Sequence, residues 1–109
     1  MPTSKSDSRH PSNRPVSLKD FQRRLAEIYL EKDSRRGLDG TFMYFVSEVG
    51  ELAQALRDGD NVEEEFADCL AWLISLANIA DVDLQECMEK IYLRCPDCGC
   101  NPCICHSKP

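Results

Sequence analysis

The sequence predicts an all-α fold: a bundle of four helices, assembled into an oligomer, with a short cysteine-rich knuckle at the C-terminus. Apolar residues recur between Leu18 and Leu93 at the spacing of amphipathic helices. No segment alternates apolar and polar residues as a β-strand does. We expect an oligomer because a helical domain in a chain of 109 residues has only a marginal hydrophobic core.

Composition divides the chain into three parts. Residues 1–16 are rich in Ser, Pro, Arg and Lys, and they predict a disordered N-terminal tail because they offer almost nothing to bury. Residues 17–93 contain the helical periodicity and form the predicted helical domain. Residues 94–109 form a separate cysteine-rich tail.

The first two helices are predicted on either side of a glycine-containing loop. Ser17 and Asp20 have the spacing of a capping box, so the first helix is predicted to begin there and to run to about Lys32. Gly37 and the turn residues after it predict a loop. The second helix is predicted over residues 41–57, which carry one continuous apolar stripe.

The remaining two helices are each predicted to begin after a turn that contains acidic residues. Asp60 and Glu63 are spaced to cap a third helix, predicted over residues 61–80. Asp83, with an acidic residue three positions further on, begins a fourth helix that is predicted to end near Leu93. Because the connections are short, neighbouring helices are expected to be antiparallel.

The charge of the chain restricts its partners. With a net charge of −6, we expect no nucleic-acid partner, since binding to a phosphate backbone needs clustered Lys and Arg. A small phosphate ligand that arrives with its own metal ion remains compatible with an acidic surface. No apolar run reaches the roughly 18 residues of a membrane span, and no apolar signal-peptide core is present, so we predict a cytoplasmic protein without a membrane partner.

Two pairs of carboxylates have matching spacing on neighbouring helices. Glu48 and Glu51 are three residues apart on the second predicted helix, and Glu65 and Asp68 repeat this spacing on the third. Residues at this spacing project from the same side of a helix. On antiparallel neighbours the two pairs are therefore predicted to face each other across one groove.

Asp68 is the strongest indication of a site. It is the only charged residue from Phe66 to Ala80, and a carboxylate in apolar surroundings is costly unless a cation or another partner satisfies it. Clustered carboxylates with free water positions suit Mg²⁺ or Mn²⁺. The alternative is that the acidic residues form only a solvated helix face, favoured by the helix dipole.

The segments EVGELA at residues 48–53 and EFAD at residues 65–68 resemble the E-x-x-E … E-x-x-D signature of the MazG-like nucleotide pyrophosphohydrolases. The likeness extends upstream to Arg36-Gly37 and downstream to Lys90. It implies an all-α enzyme, a homodimer or homotetramer, that cleaves nucleoside triphosphates to monophosphate and pyrophosphate.

The same resemblance implies a mechanism. A Mg²⁺ ion held by the acidic residues would bridge the triphosphate oxygens, and water would attack the α-phosphorus. The four predicted ligands are Glu48, Glu51, Glu65 and Asp68. The general base is expected in the Glu48/Glu51 pair, and the sequence does not decide which of the two it is.

Four further residues are candidate nucleotide contacts. Trp72 lies one turn after Asp68, so it is suited to stack on a base or, alternatively, to fill the core. Asn78 has an amide in an apolar helix, where it contacts the nucleotide or caps a neighbouring helix end. Arg36 and Lys90 are candidate phosphate ligands, with solvated surface charges as the alternative.

The cysteine-rich tail has the spacing of a metal knuckle. Five of the seven cysteines lie in the last fifteen residues, and a C-x-x-C pair followed by C-x-C predicts a structural Zn²⁺ site. The predicted ligands are Cys95, Cys98, Cys103 and Cys105, with Cys100 and His106 as spare candidates. A loose tail and a redox or disulfide role are the alternatives.

Two rival functions follow from these features. In the first, the chain is a non-catalytic helical module whose zinc knuckle binds a partner. In the second, the carboxylate site acts on a different phosphoanhydride, such as a nucleoside diphosphate compound. Asp68 argues against the first rival, because a carboxylate in an apolar helix is costly without a cation or another partner.

Overall fold

The structure, a computed structural model that describes residues 16–107, confirms the all-α prediction. Within these residues the chain forms three α-helices and no strand. Helix α1 spans Leu18–Asp58, α2 spans Val62–Ala80 and α3 spans Leu84–Ile91. The disordered tail predicted for residues 1–16 falls, except for Val16, outside the described residues.

The predicted capping interactions are present at two helix starts. The Ser17 hydroxyl accepts a hydrogen bond from the Asp20 N–H at 3.1 Å, and the Asp20 carboxylate accepts one from the Ser17 N–H at 3.2 Å. At the start of α3 the Asp83 carboxylate accepts a hydrogen bond from the Glu86 N–H at 3.0 Å. These caps satisfy backbone donors that have no partner inside the helix.

The loop predicted between the first two helices is reduced to a break at Gly37, at which two helical segments meet within α1. The predicted count of four helices is therefore not confirmed as four separate elements. Within α1 only Gly37 departs from helical geometry, with φ 85° and ψ 171°. Residues other than glycine rarely adopt this backbone conformation. Side chains span this break: the Arg36 guanidinium donates to Asp33 at 2.9 Å and to Thr41 at 3.2 Å. Asp33 and Thr41 are both buried, so the break is held in one geometry.

Replacing Gly37 with alanine is expected to lower the free energy of unfolding by about 1–3 kcal/mol, because the Cβ strains the backbone at positive φ. Open space surrounds Gly37, so the loss reports backbone strain rather than a clash. Thermal denaturation measures the effect. Ser34→Ala, an exposed change one turn earlier in α1, is the control, and equal stability of the two variants would contradict a rigid break.

The turn between α1 and α2 differs in detail from the prediction. The predicted cap by Asp60 and Glu63 is wrong: Asn61 occupies the N-cap position in a left-handed conformation, without a side-chain cap. Asp60 instead closes the preceding helix, since its N–H bonds to the Ala55 carbonyl at 3.2 Å. The chain thus reverses within Gly59–Asn61, which places α2 antiparallel to α1.

Helix α2 lies along α1 and provides most of the core. Its buried residues are Cys69, Ala71, Ile74, Ser75 and Ala77. Helix α3 is attached to the start of α1, where the Gln85 side chain accepts from the Lys19 N–H at 3.0 Å. Among the described residues, none of the helices combines the length and apolarity of a bilayer span.

A single chain leaves much of its apolar surface uncovered. The stripe predicted on the second helix is largely exposed, with Phe42 at 53%, Val46 at 50% and Val49 at 44% of the maximal accessibility. On α2, Phe66 is 53% and Leu70 48% exposed. A surface this apolar is typical of a protein–protein interface.

Candidate functional site

Three of the four predicted carboxylates meet between α1 and α2. Glu48 extends from α1, and Glu65 and Asp68 extend from α2, one turn apart. One oxygen from each of these side chains lies within 4.8 Å of the other two. All three residues are partly buried. The antiparallel pairing of the helices therefore brings the carboxylates together as the i, i+3 spacing predicts.

Glu51, the fourth predicted ligand, lies at the edge of this acidic cluster. Its side chain is exposed and is not one of the three whose oxygens converge. Its charge nevertheless acts on the cluster, because burial and then this charge raise the pKa of Glu48. Glu51 is thus placed between the cluster and solvent.

The acidic cluster is electrostatically strained. Glu48 Oε2 and Glu65 Oε1 are buried and have no hydrogen-bond partner among the described residues. Burial raises the pKa of Glu48, and the charges of Glu51, Asp68 and Glu65 raise it further. The pKa of Glu65 is also raised, first by burial and then by the neighbouring carboxylates. The protein alone therefore stabilises these carboxylates poorly in their charged forms.

A divalent cation fits this arrangement. Around an octahedral Mg²⁺ ion with bonds of about 2.1 Å, ligand oxygens lie roughly 3–4 Å apart, so oxygens already within 4.8 Å need little movement. A cation also satisfies the two buried, unpartnered oxygens and removes the mutual repulsion. Oxygen donors alone suit Mg²⁺ or Mn²⁺ better than softer metals.

Because the pKa of Glu48 is raised by folding, ionised Glu48 is expected to destabilise the metal-free protein. Stability from this group is fully present below its unfolded pKa and is lost as the pH rises through its folded pKa. In the presence of a chelator at pH 7, Glu48→Gln should therefore melt at a higher temperature than the native protein. The difference should shrink as the pH falls towards 5.

Mg²⁺ should reverse this order, because it stabilises the native protein more than the variant. Glu64→Gln, an exposed change on the first turn of α2, controls for net charge. If the native protein has a higher melting temperature than Glu48→Gln in chelator at pH 7, the charged carboxylate cluster does not destabilise the metal-free fold.

A cluster of aromatic and cationic groups lies one helical turn from the carboxylates. The Tyr44 and Trp72 rings stack with centroids 5.0 Å apart and planes 9° apart. The Arg36 guanidinium lies 5.5 Å from the Tyr44 ring centroid and 4.9 Å from that of Trp72. Tyr44 precedes Glu48 by four residues, and Trp72 follows Asp68 by four, a distance of about 6 Å along each helix.

The other two predicted nucleotide contacts lie elsewhere. The Asn78 amide donates to the Gln22 carbonyl of α1 at 3.2 Å, about 15 Å along α2 from Asp68 at 1.5 Å per residue. The Gln22 side chain donates to the Val82 carbonyl at 2.7 Å, so Asn78 belongs to a network that joins α1 to the α2–α3 turn. Lys90 forms an exposed ion pair with Glu86 at 3.5 Å.

The four predicted cysteine ligands converge in the C-terminal segment. The sulfur atoms of Cys95, Cys98, Cys103 and Cys105 all lie within 4.8 Å of one another. Backbone N–H groups of Ile104 and Cys100 lower the pKa of Cys98 to about 6. The neighbouring sulfur atoms, that of Cys103 foremost, raise the pKa of Cys105 to about 12.

Three residues that organise this end of the helix pair were not predicted from the sequence. Asp33 and Thr41 position Arg36, and Tyr44 covers one face of Trp72. The i, i+3 spacing of Asp33 and Arg36 is a signal for their ion pair. No pattern within one helix indicates the Tyr44–Trp72 stack, because it joins residues from different helices.

The fold and this site define an all-α protein with a carboxylate cluster between two antiparallel helices. A family model, described as the MazG nucleotide pyrophosphohydrolase domain, matches residues 37–99. The chain therefore belongs to the MazG nucleotide pyrophosphohydrolase family, whose members generally use divalent metal ions. Comparison with curated proteins gave no significant match.

Proposed function

We propose that the protein is a Mg²⁺-dependent nucleoside triphosphate pyrophosphohydrolase, releasing nucleoside monophosphate and pyrophosphate from ribo- or deoxynucleotides. The observation that carries this proposal is the acidic cluster itself. Two buried oxygens, one of Glu48 and one of Glu65, have no partner among residues 16–107, and a Mg²⁺–triphosphate complex supplies the charge they need. Mn²⁺ is the alternative ion.

The four carboxylates have different proposed roles, which follow from their positions. Glu48, Glu65 and Asp68 hold the metal ion, which when bound neutralises charge on the triphosphate oxygens. Water attacks the α-phosphorus, a new P–O bond forms, and the bond from the α-phosphorus to its bridging oxygen breaks to release pyrophosphate. The exposed Glu51, whose charge acts on Glu48, would complete the metal site or accept the proton from water.

The Arg36–Tyr44–Trp72 cluster is the proposed contact for the rest of the nucleotide. Arg36, which also pairs with Asp33, is the proposed cation for the phosphates. The aromatic rings offer a surface on which a base stacks, although Tyr44 already covers one face of Trp72. The nucleotide contacts of Asn78 and Lys90 stay predictions, since the structure engages both residues in other bonds.

A second copy of the chain is the proposed cover for the apolar surface. An apolar groove of about 490 Å³ lies between α1 and α2. Its lining residues include Val49 and Ala67, next in sequence to Glu48 and Asp68. A partner subunit on this groove lies beside the acidic cluster and excludes water from it. The proposed assembly is a homodimer or homotetramer.

The proposal is tested by incubating the protein with a panel of ribo- and deoxynucleoside triphosphates and Mg²⁺, and by separating the products chromatographically. We expect monophosphate and pyrophosphate in equal amounts, and no reaction with excess chelator. Diphosphate and orthophosphate as products would contradict the proposed site of attack. Cleavage of nucleoside diphosphate compounds alone would favour the second rival, and no reaction with any nucleotide would favour the non-catalytic module.

A further inference from the structure

The segment after α3 has neither regular secondary structure nor a hydrophobic core. Residues 93–107 form neither helix nor strand, and their large apolar side chains are not buried, since Leu93 is 72% and Ile104 74% exposed. A short segment without a hydrophobic core generally needs a cross-link or a metal ion to hold one conformation. The only buried or partly buried side chains in this segment, within the part that the structure describes, are cysteines.

We propose that this segment binds one structural Zn²⁺ ion through four thiolates, those of Cys95, Cys98, Cys103 and Cys105. The site is separate from the acidic cluster, and it goes beyond the proposed hydrolysis. The family match ends at residue 99, so half of the ligand set lies past the part of the chain that this family defines.

The sulfur positions match a tetrahedral site. With Zn–S bonds of about 2.3 Å, tetrahedral geometry places ligand sulfurs about 3.8 Å apart. The Cys95 and Cys105 sulfurs are 3.8 Å apart, and the Cys98 and Cys103 sulfurs are 4.0 Å apart. Both separations greatly exceed the roughly 2.05 Å of a disulfide bond.

The backbone holds the first two ligands in a tight turn. The Gly99 N–H donates to the Cys95 carbonyl at 2.8 Å, and the Cys95 N–H donates to the Cys100 carbonyl at 3.1 Å. Gly99 has φ 73°, in the left-handed region where glycine is favoured. Two cysteines separated by two residues are thereby turned towards a common point, as in zinc knuckles.

A backbone N–H group also points at one of the sulfur atoms. The Cys105 N–H donates to the Cys103 sulfur at 3.2 Å. Thiolate is the form of cysteine that ligates metal. With four negative ligands, a divalent soft acceptor such as Zn²⁺ fits better than Mg²⁺.

The remaining cysteine of this segment serves a different role. The Cys100 sulfur is directed to the Cys98 carbonyl at 3.6 Å and is not among the four that converge. Cys100→Ser is therefore a matched control, since it removes a thiol from the same turn without removing a proposed ligand.

The test is metal content and ligand type in the full chain, purified under reducing conditions and dialysed against a weak chelator. Mass spectrometry of the metals should find about one zinc ion per native chain and per Cys100→Ser chain. Cys98→Ser and Cys105→Ser should lose most of it. Far-ultraviolet circular dichroism of each variant verifies the helices, because the ligands lie outside α1–α3.

Replacing Zn²⁺ with Co²⁺ shows whether the ligands are sulfur atoms. Glu48→Gln tests whether the cysteine site is independent of the acidic cluster. Zinc-free protein titrated with Co²⁺ should give one equivalent of sulfur-to-metal charge-transfer absorption, unchanged in Glu48→Gln and lost in Cys98→Ser. Iron in place of zinc would overturn the proposal. So would cysteine variants that retain zinc, or reduced protein that binds no zinc. Loss of four hydrogens in the intact mass would instead show two disulfides.

Discussion

Replacing Asp68 with asparagine is expected to lower kcat/KM for nucleoside triphosphate hydrolysis by at least about 100-fold. The change keeps the size of the side chain but removes a negative charge from a cluster whose oxygens lie within 4.8 Å of one another. Altering groups that merely support metal ligands costs about 10–100-fold, and loss of a ligand charge costs at least as much. Steady-state kinetics across a range of Mg²⁺ concentrations measures the loss.

The Mg²⁺ dependence distinguishes a metal ligand from a residue that only maintains the fold. Asp68→Asn should need more Mg²⁺ to reach half-maximal activity, because its site has one fewer charge for the ion. Glu64→Gln, on the same helix but exposed, should match the native protein. Native activity in Asp68→Asn, or an equal loss in Glu64→Gln, would remove Asp68 from the metal site.

Placing a charge in the apolar groove is expected to dissociate the assembly. Leu70 lines the groove between α1 and α2 and is 48% exposed in the single chain. In Leu70→Lys a partner subunit would have to bury an unpaired ammonium group, so the dissociation constant should rise by about 100-fold or more. Light scattering during size-exclusion chromatography, over a series of protein concentrations, measures the molar mass.

Met88→Lys supplies the matched control, because Met88 is 50% exposed on α3 and does not line this groove. It should leave the assembly intact. If the native protein is monomeric at micromolar concentration, or if only Met88→Lys dissociates the assembly, the groove is not the interface.

Features set by short-range interactions were predictable from the sequence. The capping box of Ser17 and Asp20 and the cap of α3 by Asp83 need only residues three positions apart. The long apolar run of α2 likewise indicated its helix, since the predicted range 61–80 agrees with the observed Val62–Ala80. The meeting of Glu48 with Asp68 required one further step, the antiparallel pairing implied by a short turn.

Features that depend on distant contacts were not predictable in this way. Gly37 signalled a loop, yet Arg36, Asp33 and Thr41 bridge it, so a break of one residue replaces the loop. The apolar stripe of the second predicted helix indicated a buried face, but periodicity does not say which chain covers it. Only the folded structure of the single chain shows that Phe42 and Val46 remain exposed.

The most direct test of the metal site is a crystal structure with Mn²⁺ and a nucleotide whose α,β-bridge cannot be hydrolysed, with Mn²⁺ located by anomalous scattering. We predict an anomalous peak at bonding distance, roughly 2–2.3 Å, from carboxylate oxygens of Glu48, Glu65 and Asp68, with the nucleotide phosphates on the same ion. Ordered nucleotide with Mn²⁺ bound at other residues, and none between α1 and α2, would contradict the account.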